Sequence, residues 1–155
     1  MPDDDDITCE LEAVLAQRDA AELTRVLATV WSVGLSVKWA PVFAKLLVER
    51  WHFQQEDLAN ALQDLRDPST ADALLVVALD SAPYDEIDDG RALARKCVWA
   101  LHDIGARAEL EQIATTAKDE ETRERAADKL AALIARPAGS PPAAYRVARG
   151  SRVRR

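Results

Sequence analysis

The pattern Ala-Leu-x-Asp-aliphatic occurs twice in the chain and constrains its fold more than any other feature. The first copy is ALQDL at 61–65 and the second is ALHDI at 100–104. A short turn and a second apolar stretch follow each copy. Coincidence is the alternative, because Ala and Leu are abundant and only Ala, Leu and Asp match strictly. A true repeat predicts stacked helix pairs, since one pair cannot bury its apolar face alone.

Apolar residues recur at helical spacing along the rest of the chain, and no stretch has a strand-like period. We therefore expect an all-α fold of about seven or eight helices joined by short turns. Within the repeat, Asp64 and Asp103 are expected to precede the turn and to accept hydrogen bonds from free backbone N–H groups. The other signals are Gly34 and Gly105 as helix ends, Pro41 in a first turn, Pro68 in a turn with Ser69 or Thr70 as the cap, and Asp119 as a cap.

Charge divides the chain into an acidic body and a basic tail. The segment 1–135 holds all 27 acidic side chains against 14 basic ones, which leaves −13, whereas the segment 136–155 carries +6 and three prolines. This composition predicts a disordered acidic N-terminus at 1–6, a helical domain at 7–136 and a disordered basic tail at 137–155.

The chain has the composition expected of a soluble cytoplasmic protein. Its longest uncharged run, 26–37, is too short to span a bilayer as a helix, and the acidic opening MPDDDDITCE is unlike a secretory leader. Two cysteines, Cys9 and Cys97, form no disulfide framework and are expected to be reduced and mostly buried.

A resemblance to a known family covers about positions 49–135. The matching motifs are Trp51-His52, Glu56-Asp57-Leu58, Asp67-Pro68, Tyr84-Asp85 and the stretch from Ala94 to Leu101. These resemble the pattern of small bacterial HEAT-repeat proteins, and the spacing of the two copies agrees with their helix-pair period of about 40 residues. The resemblance implies a HEAT-like α-α superhelix, a short right-handed solenoid. Some such proteins are immunity proteins that neutralise toxins, and others are protein-binding adaptors. Those proteins often have histidine where this chain has Gln55.

The sequence contains no recognisable catalytic or metal-binding motif. Only two histidines are present, and there is no nucleophile elbow, phosphate-binding loop, Cys-x-x-Cys or His-Glu-x-x-His. YDEIDDG at 84–90 fails as a calcium loop, because Ile87 and Lys96 occupy the third and twelfth ligand positions. We expect no catalytic residue, no metal and no cofactor. The loop either caps the next helix through Asp88 or Asp89 or offers an acidic contact surface.

Two groups of side chains are candidates for contact with a partner protein. One lies in the loops, and the other forms a predicted ridge on one helix, for which the alternative is a plain solvated face. Trp31, Trp39 and Trp51 are expected mainly to fill the core. The predicted partner-binding residues are Trp51, His52, Asp85, Glu86, Asp88, Asp89, Arg95, Trp99 and His102.

Acidic charge and a stacked-helix surface together favour a non-enzymatic protein-binding module. An acidic body attracts a basic partner, which suits an immunity- or antitoxin-like inhibitor of a basic toxin. A general scaffold or adaptor in a larger complex is the alternative. An enzyme acting on nucleic acid is more remote, because phosphate binding needs a basic groove. The basic tail either contacts nucleic acid or acidic protein surfaces, or has no role.

Overall fold

The computed structural model of the chain describes residues 1–84, 87–136 and 153–154. These residues form eight α-helices, and the all-α prediction is confirmed. No helix in these ranges is both long enough and apolar enough to cross a membrane. The helices are α1 (Asp4–Gln17), α2 (Ala20–Val33), α3 (Ala40–Leu47), α4 (Gln55–Leu65), α5 (Ala71–Leu79), α6 (Arg91–Ile104), α7 (Arg107–Thr116) and α8 (Glu120–Ala135), with short 3-10 turns at Val37–Trp39, Pro68–Thr70 and Ala82–Tyr84.

The helices lie in two layers. Helices α1, α3, α5 and α7 contact one another in succession, and α4, α6 and α8 do the same in the second layer. Helix α2 packs on α1 and reaches α3 through the rings of Trp31 and Phe43, whose centroids are 6.4 Å apart. The apolar faces of both layers meet in one continuous core, because alternate helices along the chain belong to opposite layers.

Helices α4 and α6 run parallel and in register. Lys96 Nζ lies 3.1 Å from Glu56 Oε2 near their first turns, and Gln63 Nε2 donates to Asp103 Oδ2 at 2.9 Å near their last. Each pair joins residues 40 apart in the chain. The two contacts are seven residues, or about two helical turns, apart on both helices.

The two Ala-Leu-x-Asp copies end these two neighbouring helices. The Ala-Leu pair of each copy is buried, at 61–62 and at 100–101. Each helix then ends at a left-handed residue, Arg66 with φ 53° and Gly105 with φ 81°. The prediction for Asp103 was wrong, because its carboxylate accepts from the side chain of Gln63 rather than from a free backbone N–H.

The N-terminus differs from the predicted disordered segment 1–6. Helix α1 begins at Asp4, and Asp3 accepts from the backbone N–H of Asp6 at 2.8 Å while Asp6 accepts from that of Asp3 at 3.3 Å. This capping box satisfies backbone donors that the helix leaves unpaired, and the carboxylates of the first turn are stabilised by the helix dipole. The aspartate run is therefore a helix start, not a disordered lead-in.

Other predicted helix boundaries are mostly confirmed. Gly34 ends α2 with φ 89°, and Asp119 caps α8 by accepting from Thr122 N–H at 2.9 Å. Thr70, one of the two predicted caps, occupies the N-cap position of α5 without a side-chain capping bond. Asp67 caps the preceding 3-10 turn by accepting from Ser69 N–H at 2.9 Å. Asp67 stands one residue before the proline, where its extended backbone orients the carboxylate toward the turn.

Two residues of the predicted basic tail have a defined place. Val153–Arg154 forms a short strand, β2, that pairs in parallel with Leu35–Ser36, β1. Residues 137–152 and Arg155 lie outside the described residues, and so does the prediction of disorder for them.

Of the tryptophans expected in the core, only Trp39 is fully buried. Trp31 is 42% exposed and Trp51 is half-buried. The cysteines also differ from each other, since Cys97 is buried within α6 and Cys9 is exposed. Burial raises the pKa of the Cys97 thiol, so that thiol remains protonated and packs as an apolar group.

Gly90 allows the turn into α6 to close against the end of α5. Its φ is +73°, and an added Cβ would collide with the carbonyl oxygen of Ser81. Gly90→Ala is therefore expected to lower the free energy of unfolding by about 3 kcal/mol, from overpacking together with the strained φ. Urea unfolding followed by circular dichroism measures this loss.

Gly105→Ala is the matched control for this prediction. Gly105 also has a positive φ, +81°, but a Cβ there would meet nothing within 4 Å. The expected decrease in the free energy of unfolding is about 1 kcal/mol, because only the strained backbone conformation of the alanine contributes. Equal losses for the two variants would contradict the role assigned to the close approach at Ser81.

Candidate functional site

A groove beside the first turn of α4 brings Glu56 and Asp57 together with Tyr84, which is distant in the chain. It encloses about 280 Å³. The loop between α3 and α4 forms one wall, and the segment leading into α6 forms the other. We call it the α4 groove, and its lining residues are Phe53, Gln55, Glu56, Asp57, Tyr84 and Leu93.

His52 holds the α3–α4 loop from within. Its Nε2 lies 2.8 Å from the carbonyl oxygen of Leu46, and its Nδ1 accepts from the backbone N–H of Gln54 at 3.0 Å. This pattern requires the neutral ring with the proton on Nε2. The side chain is buried, and its ring packs edge-on with that of Trp51, with the two ring centroids 4.8 Å apart. The structure thus places the predicted contact residue His52 inside the loop, where it positions its neighbours.

Gln55 closes the same loop with two hydrogen bonds. Its Nε2 donates to the carbonyl oxygens of Glu49 at 2.9 Å and of His52 at 2.8 Å, and the residue is buried. A neutral histidine has one N–H donor and could not make both bonds. Gln55 therefore serves to hold the loop in a way that a histidine at this position could not.

Tyr84 ties the second wall of the α4 groove to the first. Its hydroxyl donates to the carbonyl oxygen of Val48 at 2.8 Å, and the guanidinium of Arg50 lies 5.6 Å from its ring centroid. Arg50 also approaches Asp80 at 3.7 Å. The aromatic ring is consequently fixed from two sides, and the groove is formed before any partner arrives.

The mouth of the α4 groove combines an exposed aromatic ring with carboxylates. Phe53 is 92% exposed, and Asp57 is also exposed. Glu56 is paired with Lys96, which neutralises its charge locally. An aromatic group next to carboxylates can contact a partner surface that has both apolar and cationic groups.

The predicted acidic loop is only partly within the described residues. Asp85 and Glu86 lie outside them. Asp88 accepts from the backbone N–H of Ala92 at 2.9 Å, which confirms the capping alternative for this residue. Asp89 is exposed with φ 55° and lines a second cavity of about 230 Å³ with Lys118.

The predicted ridge lies on the outer side of α6. Arg95 is exposed, and Trp99 is 44% exposed with Lys129 Nζ of α8 lying 4.3 Å from its ring centroid. His102 is less accessible, since its Nδ1 lies 3.0 Å from Asp103 Oδ1 and its side chain is 13% exposed. Lys96 stands one turn before Trp99, so the ridge begins beside the α4 groove.

Sequence reasoning missed Phe53 as a surface residue. A phenylalanine that follows Trp-His is most simply interpreted as core, and no periodic pattern at 51–54 indicates otherwise. The Glu56–Lys96 pair is different, because its separation of 40 residues is within one residue of the 39-residue spacing of the repeat, which therefore contained the signal. Among the described residues, no group of three or more His, Cys, Asp or Glu side chains is arranged to hold a metal ion.

Comparison of the chain with family models, with curated proteins and with solved structures finds no match. The resemblance to small bacterial HEAT-repeat proteins therefore stays a prediction.

The buried His52 predicts a stability change near neutral pH. Removal from water lowers its pKa below the ordinary 6.5, outweighing the opposite effect of the Leu46 carbonyl. The unfolded chain then binds the proton first as the pH falls. Stability from the neutral ring is present above pH 6.5 and is lost below it, by at most about 1.4 kcal/mol per pH unit.

Urea unfolding of the wild type and of His52→Gln at pH 7.5, 6.5 and 5.5 checks this prediction. Gln keeps a side-chain donor but does not titrate, so its unfolding free energy is expected to vary less over this range. Parallel pH profiles for the two proteins would contradict the assignment of the proton-linked loss to His52.

Proposed function

We propose that the protein is a non-enzymatic binding module that holds a basic partner protein, most specifically an immunity- or antitoxin-like inhibitor acting in the cytoplasm. The observation that carries the proposal is the exposed Phe53 at the mouth of a preformed groove that also presents Asp57. A large apolar ring left in solvent beside a fixed cavity is characteristic of an anchor for another protein.

Electrostatics supports a basic partner. The segment 1–135 carries a net charge of −13, which raises the association rate of a cationic protein and weakens with added salt. The α4 groove would supply the central contact, and Arg95 and Trp99 on the adjacent ridge would extend it. Aromatic and arginine side chains are the residue types that most often dominate binding energy at protein interfaces.

The proposed scaffold is a short right-handed HEAT-like solenoid. Its support is the parallel packing of α4 and α6 at an offset of 40 residues. Helix α8 continues the same direction, since Arg91 at the start of α6 approaches Asp119 at 3.5 Å and Arg107, just after α6, donates to the carbonyl oxygen of Leu133 at 3.2 Å. Repeated parallel stacking in two layers produces the extended surface on which solenoids bind proteins.

Affinity capture from the source cells at low and at moderate salt tests the function. We expect one stoichiometric basic protein that is retained at low salt and released progressively as salt increases. Expressed alone, it should inhibit growth, and co-expression of the wild-type chain should restore growth. Retention of a constitutive multiprotein complex instead would favour the scaffold alternative.

Phe53→Ala should disrupt binding without disturbing the fold. Because the ring is 92% exposed, its removal is expected to change the unfolding free energy by less than about 0.5 kcal/mol. As a central anchor it should weaken partner binding by about 2 kcal/mol or more, roughly thirtyfold. Isothermal titration calorimetry with the captured partner measures this effect.

Ile134→Ala is the matched control, since Ile134 is an apolar residue of α8 that is 62% exposed and lies outside the α4 groove. It should bind the partner as the wild type does. If Phe53→Ala also binds normally and still restores growth, the α4 groove is not the binding site.

A further inference from the structure

The short strand β1 offers its edge to the C-terminal end of the same chain. Leu35 is opposite Val153 and Ser36 is opposite Arg154, in parallel register. Val153 packs against the edge of the hydrophobic core. A strand edge that accepts a second extended segment is the basis of peptide recognition by β-augmentation.

The side chain of Arg154 makes three separate contacts with the N-terminal part of the protein. Its Nη2 lies 2.9 Å from Asp4 Oδ1 and donates to the carbonyl oxygen of Gly34 at 3.3 Å. Its guanidinium carbon lies 5.5 Å from the centroid of the Trp39 ring. The planar guanidinium group can donate to the carboxylate and the carbonyl while it stacks on the aromatic face. The ammonium group of a lysine would act mainly as a point charge.

Ser36 and Trp39 hold Asp4 in position for this contact. Ser36 Oγ donates to Asp4 Oδ2 at 2.6 Å, which leaves Oδ1 for the guanidinium. The indole N–H of Trp39 donates to the backbone carbonyl of Asp4 at 3.2 Å. Asp4 is also shielded, with a side chain 20% exposed, whereas the neighbouring Asp5 is 86% exposed. The carboxylate is thus part of a built site rather than one member of an acidic run.

We propose that Asp4, Gly34, Ser36 and Trp39 form a binding site for an extended peptide that places an arginine after an apolar residue, and that the chain's own Val153–Arg154 fills it. We call these four residues the arginine notch. Two features set the direction of the peptide: the residue before the arginine packs on the apolar core, and the peptide pairs in parallel with β1. The notch selects arginine through the paired carboxylate and carbonyl acceptors and the indole face.

Occupation by the chain's own terminus follows from effective concentration. A tethered segment experiences a local concentration in the millimolar range, so contacts that are weak between separate molecules become populated within one chain. The notch uses none of the residues that line the α4 groove, and this inference is independent of the proposed function.

The test uses the full-length chain with its own ligand disabled, Val153→Asp with Arg154→Ala. The probe is a synthetic peptide with the sequence of residues 146–155, titrated while the backbone amide resonances of residues 34–39 are followed by NMR. We expect saturable shifts in the double variant, with binding at least several-fold weaker in the wild type, because its own terminus competes. A thermal unfolding scan verifies that the double variant remains folded.

Two further comparisons test the chemistry of the notch. The peptide carrying Arg154→Lys should bind the double variant more weakly than the native peptide. Introducing Asp4→Asn into the double variant should weaken the native peptide about fivefold, the upper range for an exposed ion pair, whereas Asp5→Asn should leave it unchanged.

Four outcomes would overturn the proposal. The peptide could fail to bind the double variant, or bind it and the wild type equally. Asp4→Asn and Asp5→Asn could weaken binding equally, which would mean that the peptide responds to the net negative charge of this surface and not to the carboxylate of Asp4. Sedimentation could show a wild-type dimer that the double variant loses, which would make a second copy the occupant in place of the chain's own terminus.

Discussion

The parallel packing of α6 against α4 is the constraint on which the rest of the structure depends. Helix α6 contacts α4, α5, α7 and α8, and most of its apolar face is buried. The pairs Glu56–Lys96 and Gln63–Asp103 fix the register, because a shift by one residue would separate both at once. The groove beside α4 and the ridge on α6 keep their relative positions only while this register holds. The Glu56–Lys96 ion pair is partly exposed and contributes little energy, so the role of the two pairs is alignment while apolar burial supplies the stability.

The α3–α4 loop is ordered by side chains that are themselves hidden from solvent. His52 and Gln55 satisfy four backbone groups, and Tyr84 reaches a fifth from the opposite wall. A loop with these backbone groups bonded to side chains can present Phe53 to solvent without collapsing onto it. A partner that binds there would not have to order the loop, and this preserves affinity. His52 and Gln55 are therefore positioning residues, and the exposed ring that they support carries the proposed contact.

The sequence predicted what local physics determines and missed what depends on distant partners. Asp119 as a cap and Gly34 as a helix end follow from a few neighbouring residues, and both are confirmed. Phe53 could not be predicted as exposed, because its exposure results from contacts made by its neighbours to residues up to 36 positions away. The position of Arg154 rests on pairing across more than a hundred residues, for which no local pattern exists. The repeat lies between these two cases in how much the sequence revealed. Its period predicted that α4 and α6 would pack as neighbours, but not which residues form the groove beside them.

The chain combines an acidic segment, 1–135, with a basic segment, 136–155. Each cationic group therefore has many carboxylates to which it could bind, and something other than net charge must select one of them. Net charge attracts every cation alike, so the −13 of the segment 1–135 would speed the approach of any cationic partner but does not select the carboxylate that binds it. Which carboxylate binds a given cationic group depends on the other side chains and backbone groups that lie beside that carboxylate. At Asp4 those groups are an indole face and a carbonyl oxygen, which suit a guanidinium, whereas at Asp57 the neighbour is an exposed phenyl ring, which suits a broader apolar surface. The two sites differ in their apolar partner rather than in their charge, so the proposed arginine site and the proposed protein-binding groove would not compete for the same cationic group.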